Sequence, residues 1–157
     1  MNNNFRVDYN ISIEDAHLMF KNFIGEASKF NRAGDRNFCV EIDPAEAPRL
    51  IDDGWNIKAL QPRDEDDDDG QPIWYLQCKL KYGGFKDPEV YMISKGKPGK
   101  TLLDESTIGL LQHADIVTAD LIIRPYNYDI NGKVGVTAYV SKMYVTVELD
   151  EFASKYD

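Results

Sequence analysis

Residues 115–150 read DIVTADLIIRPYNYDINGKVGVTAYVSKMYVTVELD, two long runs rich in β-branched and aromatic residues on either side of Asp129-Ile130-Asn131-Gly132-Lys133. Asn-Gly supplies the positive φ angles that a tight hairpin turn requires, so the two runs are expected to pair. On the second run Val134, Val136, Ala138 and Val140 share one face, and beyond Lys142 the apolar set changes parity to Met143, Val145, Val147 and Leu149. A strand has a period of two, so this change predicts a β-bulge near Ser141–Lys142 and a bend in the strand. Long, bent, paired strands suit a closed or nearly closed barrel better than a flat open sheet.

Upstream of the hairpin, Ile73–Tyr82 alternates cleanly. Trp74, Leu76, Cys78, Leu80 and Tyr82 form one face, and Ile73, Tyr75, Gln77, Lys79 and Lys81 the other. Gly83–Pro88 turns the chain and Glu89–Lys95 returns as a strand. Asp104-Glu105-Ser106-Thr107 reads as the capped start of a helix ending near His113. Nearer the N-terminus, Ala16–Ile24 is expected as a strand with Leu18, Phe20 and Ile24 on one face and Phe23 on the other. A polar, basic loop over Gly25–Asn37 then leads to Phe38, Val40 and Ile42, which alternate as a second short strand. Asp43-Pro44 starts a brief helix that Asp52-Asp53-Gly54 ends. Residues 1–15 form a lead-in strand or arm, and Trp55–Leu60 is extended.

This order predicts a mainly β protein, a five-stranded OB-like barrel with one helix between strands 3 and 4. The first strand is split across residues 16–42, and residues 43–71 are an insertion with a helix and an acidic loop. Residues 1–150 are then a single OB-like domain, followed by a short acidic tail over 151–157. An all-β sandwich is the competing architecture.

At 157 residues, 43% of them hydrophobic, the chain has the size and composition of one globular domain. No apolar run approaches the ~20 residues of a membrane span, and the start lacks a signal peptide's basic and apolar regions. Cys39 and Cys78 each sit inside a strand pattern, which reads as buried thiols of a reducing cytoplasm rather than a disulfide. The net charge of −9 argues at first against a nucleic-acid partner. Its distribution points the other way. Asp64–Asp69 holds six acids and no base; without it the chain has 21 acids against 18 bases. Without Glu148–Asp157 as well, the two signs balance at 17 each.

The motifs of catalysis and metal binding fit poorly. Ser94-Lys-Gly-Lys-Pro-Gly-Lys-Thr101 resembles a phosphate-binding loop, but Ser94 stands where the first glycine belongs and Pro98 removes a cradling amide. Glu65, Asp67, Asp69 and Gly70 have calcium-loop spacing, but Leu76 occupies the position of the bidentate carboxylate. His17 and His113 are the only histidines, and no cysteine lies at ligand spacing from either. The reading is therefore non-enzymatic and calls for no cofactor.

What remains is aromatic rings interleaved with cations on faces predicted to point away from the core. Lys29, Phe30, Arg32 and Arg36 share one loop; Tyr75, Lys79 and Lys81 share the outer face of one strand, and Tyr91 and Lys95 that of its neighbour. Arg124, Tyr126 and Tyr128 share one face of the hairpin. Single-strand binders need this pairing, because rings stack on bases while cations follow the phosphates.

Three segments carry a family resemblance: Phe30-Asn-Arg-Ala-Gly-Asp-Arg-Asn-Phe38, Asp53-Gly-Trp-Asn-Ile-Lys58, and Leu121-Ile-Ile-Arg-Pro-Tyr-Asn127 with Asn131-Gly132-Lys133. Over residues 16–150 the chain resembles small phage and prophage proteins of Gram-positive bacteria associated with single-stranded DNA binding. The acidic end, from Glu148 to Asp157, resembles the tails through which single-stranded DNA-binding proteins recruit replication partners, although it is short and contains Lys155. The resemblance implies single-stranded DNA as partner, replication or recombination proteins reached through the tail, no membrane, and the cytoplasm of a bacterial host. A homodimer is compatible with it. The rival readings are a protein-interaction module, such as a host-factor inhibitor or DNA mimic, and a small β-barrel virion protein.

Overall fold

The computed structural model describes residues 6–61 and 70–148, so the acidic run Asp64–Asp69 and the tail from Leu149 lie outside the described residues. The chain forms β1 (Ile11–Ala16), β2 (Leu18–Asn22), β3 (Arg36–Ile42), α1 (Ala47–Asp53), β4 (Ile57–Leu60), β5 (Ile73–Leu80), β6 (Glu89–Ser94), β7 (Thr101–Leu103), a 3₁₀ turn (Ile108–Leu111), β8 (Asp115–Ile130) and β9 (Lys133–Glu148). The hairpin is the longest paired unit, running from Asp115↔Glu148 to Ile130↔Lys133. Its turn is Asn131-Gly132, both with positive φ. The bulge falls where the parity change placed it: Ile122 faces Lys142 and Ile123 faces Val140, which leaves Ser141 as the extra residue. Val136, Ala138 and Val140 are buried before the bulge, and Met143, Val145 and Val147 after it.

The strands pair in the order β1-β8-β9-β5-β3-β2. β1 and β2, at the two ends of that path, are consecutive in the chain with only His17 between them, so the path turns back on itself through one bent segment. The ring of pairings thus runs β1/β2, β3, β5, β9, β8, with β5 and β9 parallel. That seam is narrow, Cys78↔Ala138 and Lys79↔Tyr139. A nearly closed barrel with one weak seam is the result, mainly β as expected. Its core includes Phe23, Phe38, Val40, Leu76, Ile123, Met143 and Val145.

Several elements differ from the sequence pattern. Residues 16–42 form separate antiparallel strands, β2 and β3, instead of one split strand, and the insertion therefore lies between β3 and β5. The returning strand β6 lies outside the ring, parallel to β9 beyond the bulge, with β7 on its other edge. Nine strands are present among the described residues in place of five. The expected helix before His113 is a single 3₁₀ turn. Asp104 Oδ1 accepts the Ser106 and Thr107 amides to start it. Gln112 ends it by bonding β2: the Phe23 amide donates to its Oε1, and its Nε2 donates to the Lys21 carbonyl. The helix α1 starts at Ala47, not Asp43, and ends at Gly54 in the left-handed conformation. Ser94–Thr101 joins β6 to β7 and precedes no helix.

One face assignment inverts. Phe20 and Ile24 are exposed and Phe23 is fully buried, stacked on Phe38 at 5.5 Å. The cause is local. Phe20 has φ +51°, and the β2–β3 register shifts between Met19 and Asn22, so side chains beyond that point change sides.

Candidate nucleic-acid interface

A row of paired residues crosses the outer side of the barrel: Asn37 on β3, buried beneath Asn31, faces Lys79 on β5, Lys79 faces Tyr139 on β9, and Tyr139 faces Arg124 on β8. Paired residues in neighbouring strands project to the same side, so the row is continuous over four strands. The Arg124 guanidinium lies 4.8 Å from the centre of the Tyr139 ring. Tyr126 meets the same ring edge-on at 5.9 Å. Further along the hairpin, Tyr128 lies over Gly135, where a methyl group would overlap the Tyr128 ring and hydroxyl. Glycine is what lets that ring lie flat across β9.

Beside this row is a cleft of about 280 Å³ lined by Arg32, Arg36, Lys79, Lys81, Tyr82 and Tyr139, with Asp35 and Glu105 also on its wall. Four bases against two acids give it a positive balance in a chain of net charge −9. The bases are not equally free. Lys79 and Lys81 are exposed. Arg32 makes one long ion pair with Asp35, at 3.6 Å. Arg36 is mostly covered: its Nε donates to the Phe23 carbonyl and its guanidinium meets Glu105 at 3.3 Å, so it braces the cleft wall.

The loop over residues 23–35 overhangs the cleft and is held from within. The Asn31 Nδ2 donates to the Glu26 and Asp35 carbonyls, while its Oδ1 accepts from Asn37. The Gly34 amide bonds the Gly25 carbonyl at 2.8 Å, a backbone approach that a side chain at Gly25 would obstruct. Lys29 and Phe30 stand at its tip.

The structure thus draws Lys29, Phe30, Arg32, Arg36, Lys79, Lys81, Arg124, Tyr126 and Tyr128 toward one side of the barrel. Tyr75 lies further along β5, edge-on to exposed Phe20 at 5.8 Å. Tyr91 and Lys95 stand apart. The Tyr91 ring stacks on Tyr144 at 5.2 Å beyond the bulge, with Lys100 over it at 4.5 Å. Lys95 approaches Glu148 at 4.0 Å. Tyr139 is absent from the residues singled out by sequence although its signal is present: Val136, Ala138 and Val140 point inward, so Tyr139 must point outward. Among the described residues no group of three His, Cys, Asp or Glu side chains could hold a metal ion.

The fold is shared with solved structures of the single-stranded DNA-binding protein from bacteriophage Enc34. Its C-terminally truncated form matches with a TM-score of 0.55 at 9% identity, over 90% of this chain and 87% of that one. Its complex with single-stranded DNA matches with a TM-score of 0.55 at 11% identity, over 91% and 89%. No curated protein sequence matches. Residues 1–157 match the family model described as "Putative phage ssDNA-binding domain", and the chain therefore belongs to the phage single-stranded DNA-binding domain family.

Proposed function

We propose that this protein coats single-stranded DNA during phage replication or recombination, by binding and not by catalysis, in the cytoplasm of the bacterial host. The observation that carries this reading is the cation–aromatic row Lys79–Tyr139–Arg124 beside a cleft with four bases. OB-folds take oligonucleotides on the face of their second and third strands, between the loops joining strands 1–2 and 4–5. Here those are β3 and β5, the loop over residues 23–35, and the turn at Asn131-Gly132. Lys29, Arg32, Lys79 and Lys81 would follow phosphates, Arg36 would hold the cleft wall, and Phe30, Tyr75, Tyr126, Tyr128 and Tyr139 would offer ring surface to bases. Tyr91 and Lys95 belong to a separate patch. The acidic C-terminal residues are the candidate recruiter of replication or recombination proteins.

Binding to single- and double-stranded oligonucleotides across a salt titration tests the reading. Each phosphate neutralised on a single strand should lower affinity by about 0.7 log units per log unit of salt, so the four cations Lys29, Arg32, Lys79 and Lys81 predict a slope near three. Lys79→Gln and Lys81→Gln should each lower the slope. A protein that binds no single strand at low salt, or binds it independently of salt, overturns the proposal.

A further inference from the structure

Two phenylalanines are left almost wholly in water, Phe30 at 91% exposure and Phe85 at 100%. Single exposed apolar residues are common and by themselves signify little. These two differ in setting. Each stands on a loop that borders the cleft: Phe30 lies two residues before Arg32, and Phe85 follows Gly84, against which the Lys81 side chain lies. Both loops are fixed by their own hydrogen bonds, the first through Asn31 and the second through the Gly83 amide on Asp87 Oδ1 at 2.9 Å. Lys29 lies 5.6 Å from the centre of the Phe30 ring, and Lys86 follows Phe85 in the chain. A ring held in water on a fixed backbone has its ordering cost already met before a base arrives.

We propose that Phe30 and Phe85 stack on bases at the two rims of the cleft, so that the strand held by each protomer runs from one loop tip to the other across Lys79 and Lys81. The inference rests on the single-strand reading above and adds to it a path for the strand and a contact, Phe85, on a turn that no strand pattern marks. Stacking on a ring is sequence-tolerant, since every base has a π-face, which suits a coating protein.

The test uses the full chain and oligothymidylates of increasing length. Phe30→Ala and Phe85→Ala should each weaken binding of the longer oligomers about tenfold, while oligomers too short to span both loops lose less. The salt slope should stay at the wild-type value, because no phosphate contact is removed. Both side chains are exposed, so thermal stability should not move. Phe85→Trp should bind like the wild type, with tryptophan emission quenched as the strand saturates it. Wild-type protein that binds DNA alongside alanine variants of equal affinity at every length overturns the stacking path and leaves the general reading intact. Wild-type protein that fails to bind overturns both.

Discussion

Tyr139 holds the Arg124 guanidinium over its face and receives the edge of Tyr126, so one ring positions two neighbouring side chains next to the cleft. Tyr139→Ala should cost about 1–3 kcal/mol of single-strand affinity by equilibrium titration, and Tyr139→Phe should retain most of it. Gly135→Ala tests the adjoining ring. It should lift Tyr128 off β9 and weaken binding while the hairpin stays paired, which circular dichroism would check. Two buried thiols and Tyr82 of the cleft wall set the response to alkali. Burial pushes the Cys39 thiol up to about 11 from its ordinary 9.0, and Cys78 higher still. Burial likewise pushes Tyr82 up to about 12 from 10.0. Each folded-state value lies above the unfolded one, so the associated stability is complete below pH 9 and is lost as pH rises through the folded values. Denaturation midpoints should hold to about pH 9 and then decline. A Cys39→Ala/Cys78→Ala protein should start less stable, from the space it leaves, and decline less steeply.

At the scale of elements, the bulge at Ser141 lets β9 serve two partners. Before it β9 pairs with β5, and after it with β6, keeping an apolar side inward throughout. Deleting Ser141 would join Val140 to Lys142 in regular alternation, so Met143, Val145 and Val147 would stay inward and only the extra residue that bends β9 would be lost. Those three buried side chains, each worth about 1.5–3 kcal/mol, keep their places, so the deletion variant should still melt cooperatively, at a midpoint lowered by loss of the bend. Ser141→Ala keeps the residue count and should melt close to the wild type. The same bulge marks what could be read in the sequence. The hairpin, its turn and its parity change are local, so Asn131-Gly132 and the switch from Val140 to Met143 announced them. The change of sides at Phe20 was not legible, since nothing in Leu18–Asn22 marks a positive φ at a phenylalanine. Nor was the place of Tyr91 and Lys95. Their strand reads like any amphipathic strand, and only the long-range parallel pairing of β6 with β9 carries them away from Lys79 and Lys81. Phe85 sits in a turn without periodicity, where exposure alone distinguishes it.

For the whole molecule the decisive quantity is where the acidity lies relative to the cleft. Leu60 pairs with Ile73, so the chain leaves and re-enters the sheet around the acidic run at the Ile73 end of β5. Lys79 is six residues further along that strand, about 20 Å at ~3.3 Å per residue. The Debye length is about 10 Å at 0.1 M salt and about 30 Å at 0.01 M. Six carboxylates attached at that end should therefore oppose DNA phosphates at the cleft in dilute salt and be screened from them near physiological strength. Replacing Asp64–Asp69 by a Gly/Ser segment of equal length changes the net charge from −9 to −3. If the run acts on binding, the replacement should bind single strands more tightly at 0.01 M salt, and the two proteins should converge by about 0.15 M. The gain should appear mainly in the association rate, because long-range repulsion slows approach more than it loosens the formed complex. Equal association rates across the whole titration would show that the run acts on solubility alone.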